Sequence, residues 1–356
     1  MGAEDEAGTP THPPARMSAR ARLIVLWSGL AVLLVLAAVA AFGALQRTFY
    51  SPAGFATAYV DALAHRDVQG ALAMPGASPA SARLTAQGLP AHASEELLRG
   101  DVLPRLTGVR VASDRVLPSG EHRVVVDADA DGVPVSAAFT LRQTGAVLGL
   151  LPTWEFSRTP LAVAHVDVQH AGTFELAGHT IDPRAAGPQR ADGFGAAADY
   201  LVFAPARYTL SHHSRYLTAD PVAVAPRAGS PSDVVVDALP NAAFASLVRD
   251  RVRTFLDTCA RQPVLQPAGC PFGVDIVDRV QGAPSWRMVR YPDVRLLPGA
   301  SGWVMPGAGG VAHLSATVQS LFDGSIDHRE SDEPFVMSLS SVRIRPDGGV
   351  DIVVDQ

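Results

Sequence analysis

The chain has 356 residues, 47% hydrophobic and 18% charged, which is too apolar for a disordered chain and enough for two or three folded domains. Its formal net charge is -6, and all 29 basic residues are arginine. That balance argues against nucleic acid as a partner, because such proteins carry basic patches.

Residues 1–22 hold Pro10, Pro13 and Pro14 and show no apolar periodicity, so a disordered cytoplasmic tail is expected. Leu23 to Leu45 has no charged residue. At ~1.5 Å per residue a helix here reaches about 34 Å, enough for a ~30 Å hydrocarbon core. Residues 23–45 are therefore expected to form a transmembrane helix and to be the chain's contact with the membrane. Ala38-Val39-Ala40 offers a signal-cleavage site, but signal h-regions usually run ~7–15 residues. Arg16, Arg20 and Arg22 precede the span and Arg47 follows it. The positive-inside rule then expects a single-pass protein of the cell membrane, N-terminus cytoplasmic, bulk extracytoplasmic.

Ser51-Pro52 reads as a helix start, a capping hydroxyl before proline. Phe55, Tyr59 and Leu63 recur at four-residue steps and make one apolar stripe. A short second helix is expected over 68–74, a loop over 77–93 and another short helix over 95–103. Alternating strands follow at 109–116, 122–129, 133–141 and 147–156, with turns between. Residues 46–159 are thus expected to be an α+β domain. Residues 160–238 read as short strands only, a small β-sandwich or barrel module. Residues 239–356 repeat the first pattern. Asn241 caps a helix through Leu256, and strands are expected at 286–291, 294–297, 302–305, 311–322, 334–344 and 350–354. The class expected for the whole is α+β.

Cys259 and Cys270 are the only cysteines. In an exported region the pair reads as a disulfide closing the last α+β domain.

Phe55, Tyr59-Val60, Ala62-Leu63, Arg66-Asp67 and Ala71-Leu72 resemble the opening helices of NTF2-like (cystatin-like α+β) domains. The C-terminal part, with Cys270-Pro271-Phe272-Gly273, is similar to exported domains of actinobacterial single-pass membrane proteins. An anchor followed by two such domains is also similar in architecture to membrane scaffold subunits of conjugative and type IV secretion machines. The resemblance implies a helix packed into a bent sheet around a cone. Phe55, Tyr59 and Trp154 would line it as a ligand pocket, and Tyr59, His122, Asp127 and Asp129 are the groups that could reach it for acid–base work.

Asp127-Ala128-Asp129-Ala130-Asp131-Gly132 matches half a calcium loop, D-x-D-x-D-G. The position that should hold the bidentate glutamate is Ala138, so Asp127, Asp129 and Asp131 are weak metal candidates, and a solvated turn is expected. His165, His170, His179, His212 and His213 lie in the β module, where a metal would need three converging ligands. Asp323, Asp327, Glu330, Asp332 and Glu333 are expected in one solvated hairpin loop, a partner-binding or cation-binding patch being the other reading. Gly307-Ala308-Gly309-Gly310 reads as a turn. Trp154, Trp286 and Trp303 sit at strand positions and are expected in the core. No G-x-S-x-G, P-loop or H-E-x-x-H occurs.

The expectation is a non-enzymatic binding or scaffold protein of the cell envelope, without a cofactor, whose partners are envelope proteins. A small-molecule binder using the first cone is the alternative, and an NTF2-like enzyme the third. A scaffold predicts filled cones and a bare apolar patch. A binder predicts an open pocket of ~300–1,000 Å³.

Overall fold

The computed structural model describes residues 19–147, 151–186 and 194–355, apart from some side chains of the first helix. It is mostly β, 46% strand and 21% helix, which corrects the α+β class. The reason is visible element by element. Two of the helices between residues 52 and 260 are six residues long, whereas two of the strands reach 17 and 19 residues.

Helix α1 (Ala19–Phe49) covers the apolar stretch expected to cross the membrane. Among the described residues, no helix is long and apolar enough to cross a membrane. The transmembrane assignment over 23–45 is corrected accordingly. The expected tail lies outside the described residues up to position 18.

α2 (Pro52–Ala64) starts as the sequence predicts, with Ser51 Oγ accepting from the Gly54 N–H at 2.9 Å. Its buried face is Ala56, Tyr59, Val60 and Leu63. α3 (Val68–Ala73) follows, capped by Asp67, and α4 (Ser81–Ala86) forms within the expected loop. The helix expected over 95–103 is reduced to a 3₁₀ turn at Gly100–Val102. Leu97-Leu98 and Val102-Leu103 are all buried. Gly100 within the segment disfavours a longer helix, and the segment turns instead.

Strands β1 (Leu106–Val116), β2 (His122–Ala130), β3 (Val133–Val147) and β4 (Leu151–Phe156) form an antiparallel meander in chain order. Val124, Val126, Ala128 and Ala130 alternate inward on β2, and α2 packs on β1 and β2. The next strands are β5 (Leu161–Gln169), β6 (Phe174–Leu176), β7 (His179–Ile181), β8 (Gly195–Phe203), β9 (Tyr208–His213), β10 (Leu217–Val224), β11 (Pro231–Asp237) and β12 (Leu239–Pro240). They make a five-stranded sheet, β12-β10-β9-β6-β7, and a three-stranded one, β11-β5-β8. β5 pairs parallel with β11, and its first four residues are all buried. Ser94 bridges to β8, giving its carbonyl to the Leu201 N–H at 2.9 Å and its N–H to the Asp199 carbonyl at 2.8 Å. The segment leading into the first meander is thereby tied to the edge strand β8.

α5 (Ala242–Ala260) buries Phe244, Val248, Val252, Leu256 and Cys259 on one stripe. Cys259 and Cys270 form the disulfide, with Cα atoms 5.8 Å apart, and fasten the helix end to the following loop. β13 (Arg279–Arg290), β15 (Trp303–Gln319), β16 (Ile326–Ile344) and β17 (Val350–Asp355) form the last meander, with β14 (Leu297–Pro298) on β15. Two expectations fail here. The Gly307–Gly310 turn is internal to β15, at a register shift between Met305 and Ala308. A Cβ on Gly310 would lie 2.2 Å from the Phe335 ring, so glycine here admits a cross-strand ring and bends the strand without breaking it. The acidic loop is largely strand: 326–333 pair with 312–319. The buried residues of all these units form one continuous core.

Candidate functional site

Of the three residues expected to line a cone, Phe55 and Tyr59 pack against one ring, that of Phe156. Tyr59 is fully buried, edge-on to Phe139 at 5.6 Å and Phe156 at 5.2 Å. Phe55 meets the same Phe156 at 5.1 Å. Trp154 packs against His122 at 5.1 Å, its Nε1–H donating to the Tyr50 carbonyl at 2.8 Å. Burial pushes the Tyr59 phenol well above its ordinary range, and nearby Tyr208 adds to this.

The acid–base candidates are spoken for separately. His122 Nδ1 is 2.8 Å from Asp114, and Asp127 accepts from Arg110 at 3.1 Å. Asp131 accepts the Arg105 N–H at 3.0 Å from a turn position with φ of 48°. Asp129 sits over Gly108, where a Cβ would come within 2.8 Å of its carboxyl. Among the described residues, no group of three or more His, Cys, Asp or Glu is placed to hold a metal. The histidines scatter: His165 pairs with Asp199 at 2.7 Å, His170 with Asp237 at 2.8 Å, His179 with Asp101 at 3.1 Å. His212 and His213 point to opposite faces of β9, one buried and one exposed.

The sequence did not reveal two features. The first is the outer end of the β15–β16 hairpin. Leu321 is 64% exposed, Phe322 99% and Ile326 67%. The turn beneath them is well built. Ser320 Oγ accepts the Phe322 N–H at 3.2 Å, the Asp323 carboxylate accepts the Ser325 N–H and Oγ–H at 3.1 and 2.8 Å, and the Leu321 N–H donates to Asp278 at 3.2 Å. Hydrogen bonds to Ser325 and Ser320 hold the Asp323 carboxyl below the usual range. Asp327, Glu330, Asp332 and Glu333 line the strand leading away. His313 lies 2.6 Å from Asp332, and His328 3.3 Å from Glu330.

The second is a cleft of about 660 Å³ between the central module and the last meander. Its walls carry Arg184, Arg215, Arg343 and Arg345, with His170 and His212, and no Asp or Glu among the described residues. Asp182 takes Arg184 through two bonds of 2.8 Å, and that guanidinium lowers the Asp182 carboxyl. Arg345 faces Asp347 at 3.3 Å and Asp351 at 3.6 Å. Arg215 lies 5.0 Å over the Tyr216 ring, and Arg343 donates to Ser301 Oγ at 2.5 Å. Neither of these two has a carboxylate partner among the described residues. Asn241 sets the Arg215 wall: it caps α5 at Phe244 and donates to the carbonyls of Ser214 at 3.3 Å and Arg215 at 3.1 Å. Trp303 forms the floor, 5.3 Å from His170 and 5.4 Å from Phe194. His170 is left-handed, with φ of 62°. A smaller cavity of about 240 Å³ shares His170 and Phe194 with the cleft.

The chain matches no protein-family model, no curated protein and no solved structure, so no relative identifies an NTF2-like domain.

Proposed function

We propose that this chain is a non-catalytic binding or scaffold protein of the cell envelope, working in an oxidising, extracytoplasmic compartment. The single observation that carries the reading is the bare apolar end of the β15–β16 hairpin. Leaving leucine, phenylalanine and isoleucine uncovered on a hydrogen-bonded turn opposes the hydrophobic effect, and a partner surface offsets that cost. The carboxylates behind the tip would be repelled by anionic lipid headgroups. They favour a protein partner with an apolar groove and a basic rim. The Cys259–Cys270 disulfide supports the compartment, since such bonds persist where thiols are not kept reduced. The filled interior around Tyr59 supports a positional role for the first unit over a ligand-holding one.

The test is the paired variant Leu321→Ser/Phe322→Ser in the full chain, with native cross-linking and mass spectrometry of what is captured. The reading expects the same envelope proteins captured repeatedly by the parent, and at least a tenfold loss in the variant. Equal capture by both contradicts it.

A further inference from the structure

We propose that the cleft between the central module and the last meander binds a small hydroxylated organic anion, a reading independent of the hairpin's docking role. The key observation is His212. It is 6% exposed and lines the cleft, yet its Nε2 is buried without a hydrogen-bond partner among the described residues. Its other nitrogen, Nδ1, lies 2.8 Å from the Thr173 carbonyl oxygen. A carbonyl only accepts, so Nδ1 carries the proton and Nε2 presents a lone pair. A buried acceptor left unmet is costly, and the site is completed by a ligand donor.

The surroundings decide which donor. Among the described residues, four arginines and no carboxylate line the walls. A ligand ammonium would be repelled there, so the donor is a hydroxyl. The same charge selects an anionic head. Among the described residues, Arg215 and Arg343 are the two cleft guanidiniums without a carboxylate partner, and a carboxylate or a phosphate suits their fork of donors. Trp303 and Phe194 offer an apolar floor for the rest of the molecule. The volume, about 660 Å³, falls in the ~300–1,000 Å³ range of small-molecule sites.

The test is calorimetric titration of the full chain with two probe pairs: mandelate against phenylacetate, and glycerol phosphate against propyl phosphate. The first pair differs by one hydroxyl and the second by two, of which His212 would meet one. The hydroxylated member of at least one pair is expected to bind ~3–10-fold tighter than its partner. Preference for mandelate identifies a carboxylate head, and preference for glycerol phosphate a phosphate head. Arg215→Ala/Arg343→Ala is expected to weaken that binding at least tenfold. Asp182→Asn, which releases Arg184, is expected to tighten it. His212→Phe is expected to bind both members of a pair equally. The wild-type preference reads the same hydrogen bond if that variant does not fold. Absence of saturable binding by all four probes up to about 10 mM overturns the proposal. So does binding unchanged in the double arginine variant, or equal wild-type affinity within both pairs.

Discussion

The Tyr59 hydroxyl is buried and has no hydrogen-bond partner among the described residues, so Tyr59→Phe is expected to raise stability. An unmet buried hydroxyl costs about 1–3 kcal/mol relative to water. The substitution removes that cost and keeps the ring, with its edge contacts to Phe139 at 5.6 Å and Phe156 at 5.2 Å. A void the size of one oxygen offsets part of the gain. The net expectation is a stabilisation of about 1 kcal/mol, roughly fivefold in the folded-to-unfolded ratio. Tyr59→Ala, which deletes the ring, is expected to lose about 3–5 kcal/mol. Urea unfolding followed by circular dichroism reads both as midpoint shifts at unchanged slope. A loss of 1 kcal/mol or more in Tyr59→Phe would refute the reasoning. It would mean that the hydroxyl is partnered and that the first interior is open to a ligand or water.

Cys259→Ser/Cys270→Ser opens a loop of sequence separation 11 and is expected to cost about 3 kcal/mol by the chain-entropy estimate, read from denaturant midpoints. Asn241→Ala removes the α5 cap and two bonds to the 214–215 carbonyls, and should cost about 1–2 kcal/mol in the same assay. Burial raises the phenols of Tyr59, Tyr200 and Tyr208, and a hydrogen bond to Asp257 raises that of Tyr291. A raised folded value gives stability that is present below the unfolded value, about pH 10, and is lost as pH climbs above it. Unfolding free energy should therefore fall above about pH 10, and tyrosinate absorbance should show these four of the six tyrosines ionising late. Normal ionisation of all six in the folded protein would contradict this.

Period-two alternation was legible where one sheet face is buried. Val124, Val126, Ala128 and Ala130 on β2 fall inward as the pattern says, and the capping residues Ser51 and Asn241 start their helices. The long strands were harder. Gly307–Gly310 carries turn composition, yet the register of β15 against β16 decides it, because the Phe335 ring needs the space. The acids from Asp327 to Glu333 look like a loop, but main-chain pairing with 312–318 makes them strand, and that pairing is not local information. The fold class was misread for the same reason: local stripes weighed the helices too heavily. Of the cleft, Trp303 was singled out as a core residue, and His170 and His212 only among the histidines weighed for a metal. Arg184, Arg215 and Arg343 come from three distant segments, and only the tertiary fold brings them to one wall. The isolated lone pair of His212 has no sequence signature, because it depends on the Thr173 carbonyl across the sheet.

The most direct measurement of the central claim is site-specific photo-cross-linking in intact cells, with a photoreactive phenylalanine at position 322 and a control at position 235. Residue 322 sits at the bare hairpin end, whereas Val235 is half-exposed on β11. The account predicts that position 322 captures the same envelope protein in every repeat, that position 235 does not, and that Ile326→Asp abolishes the capture. No specific adduct at 322, or the same adducts from both positions, would contradict it.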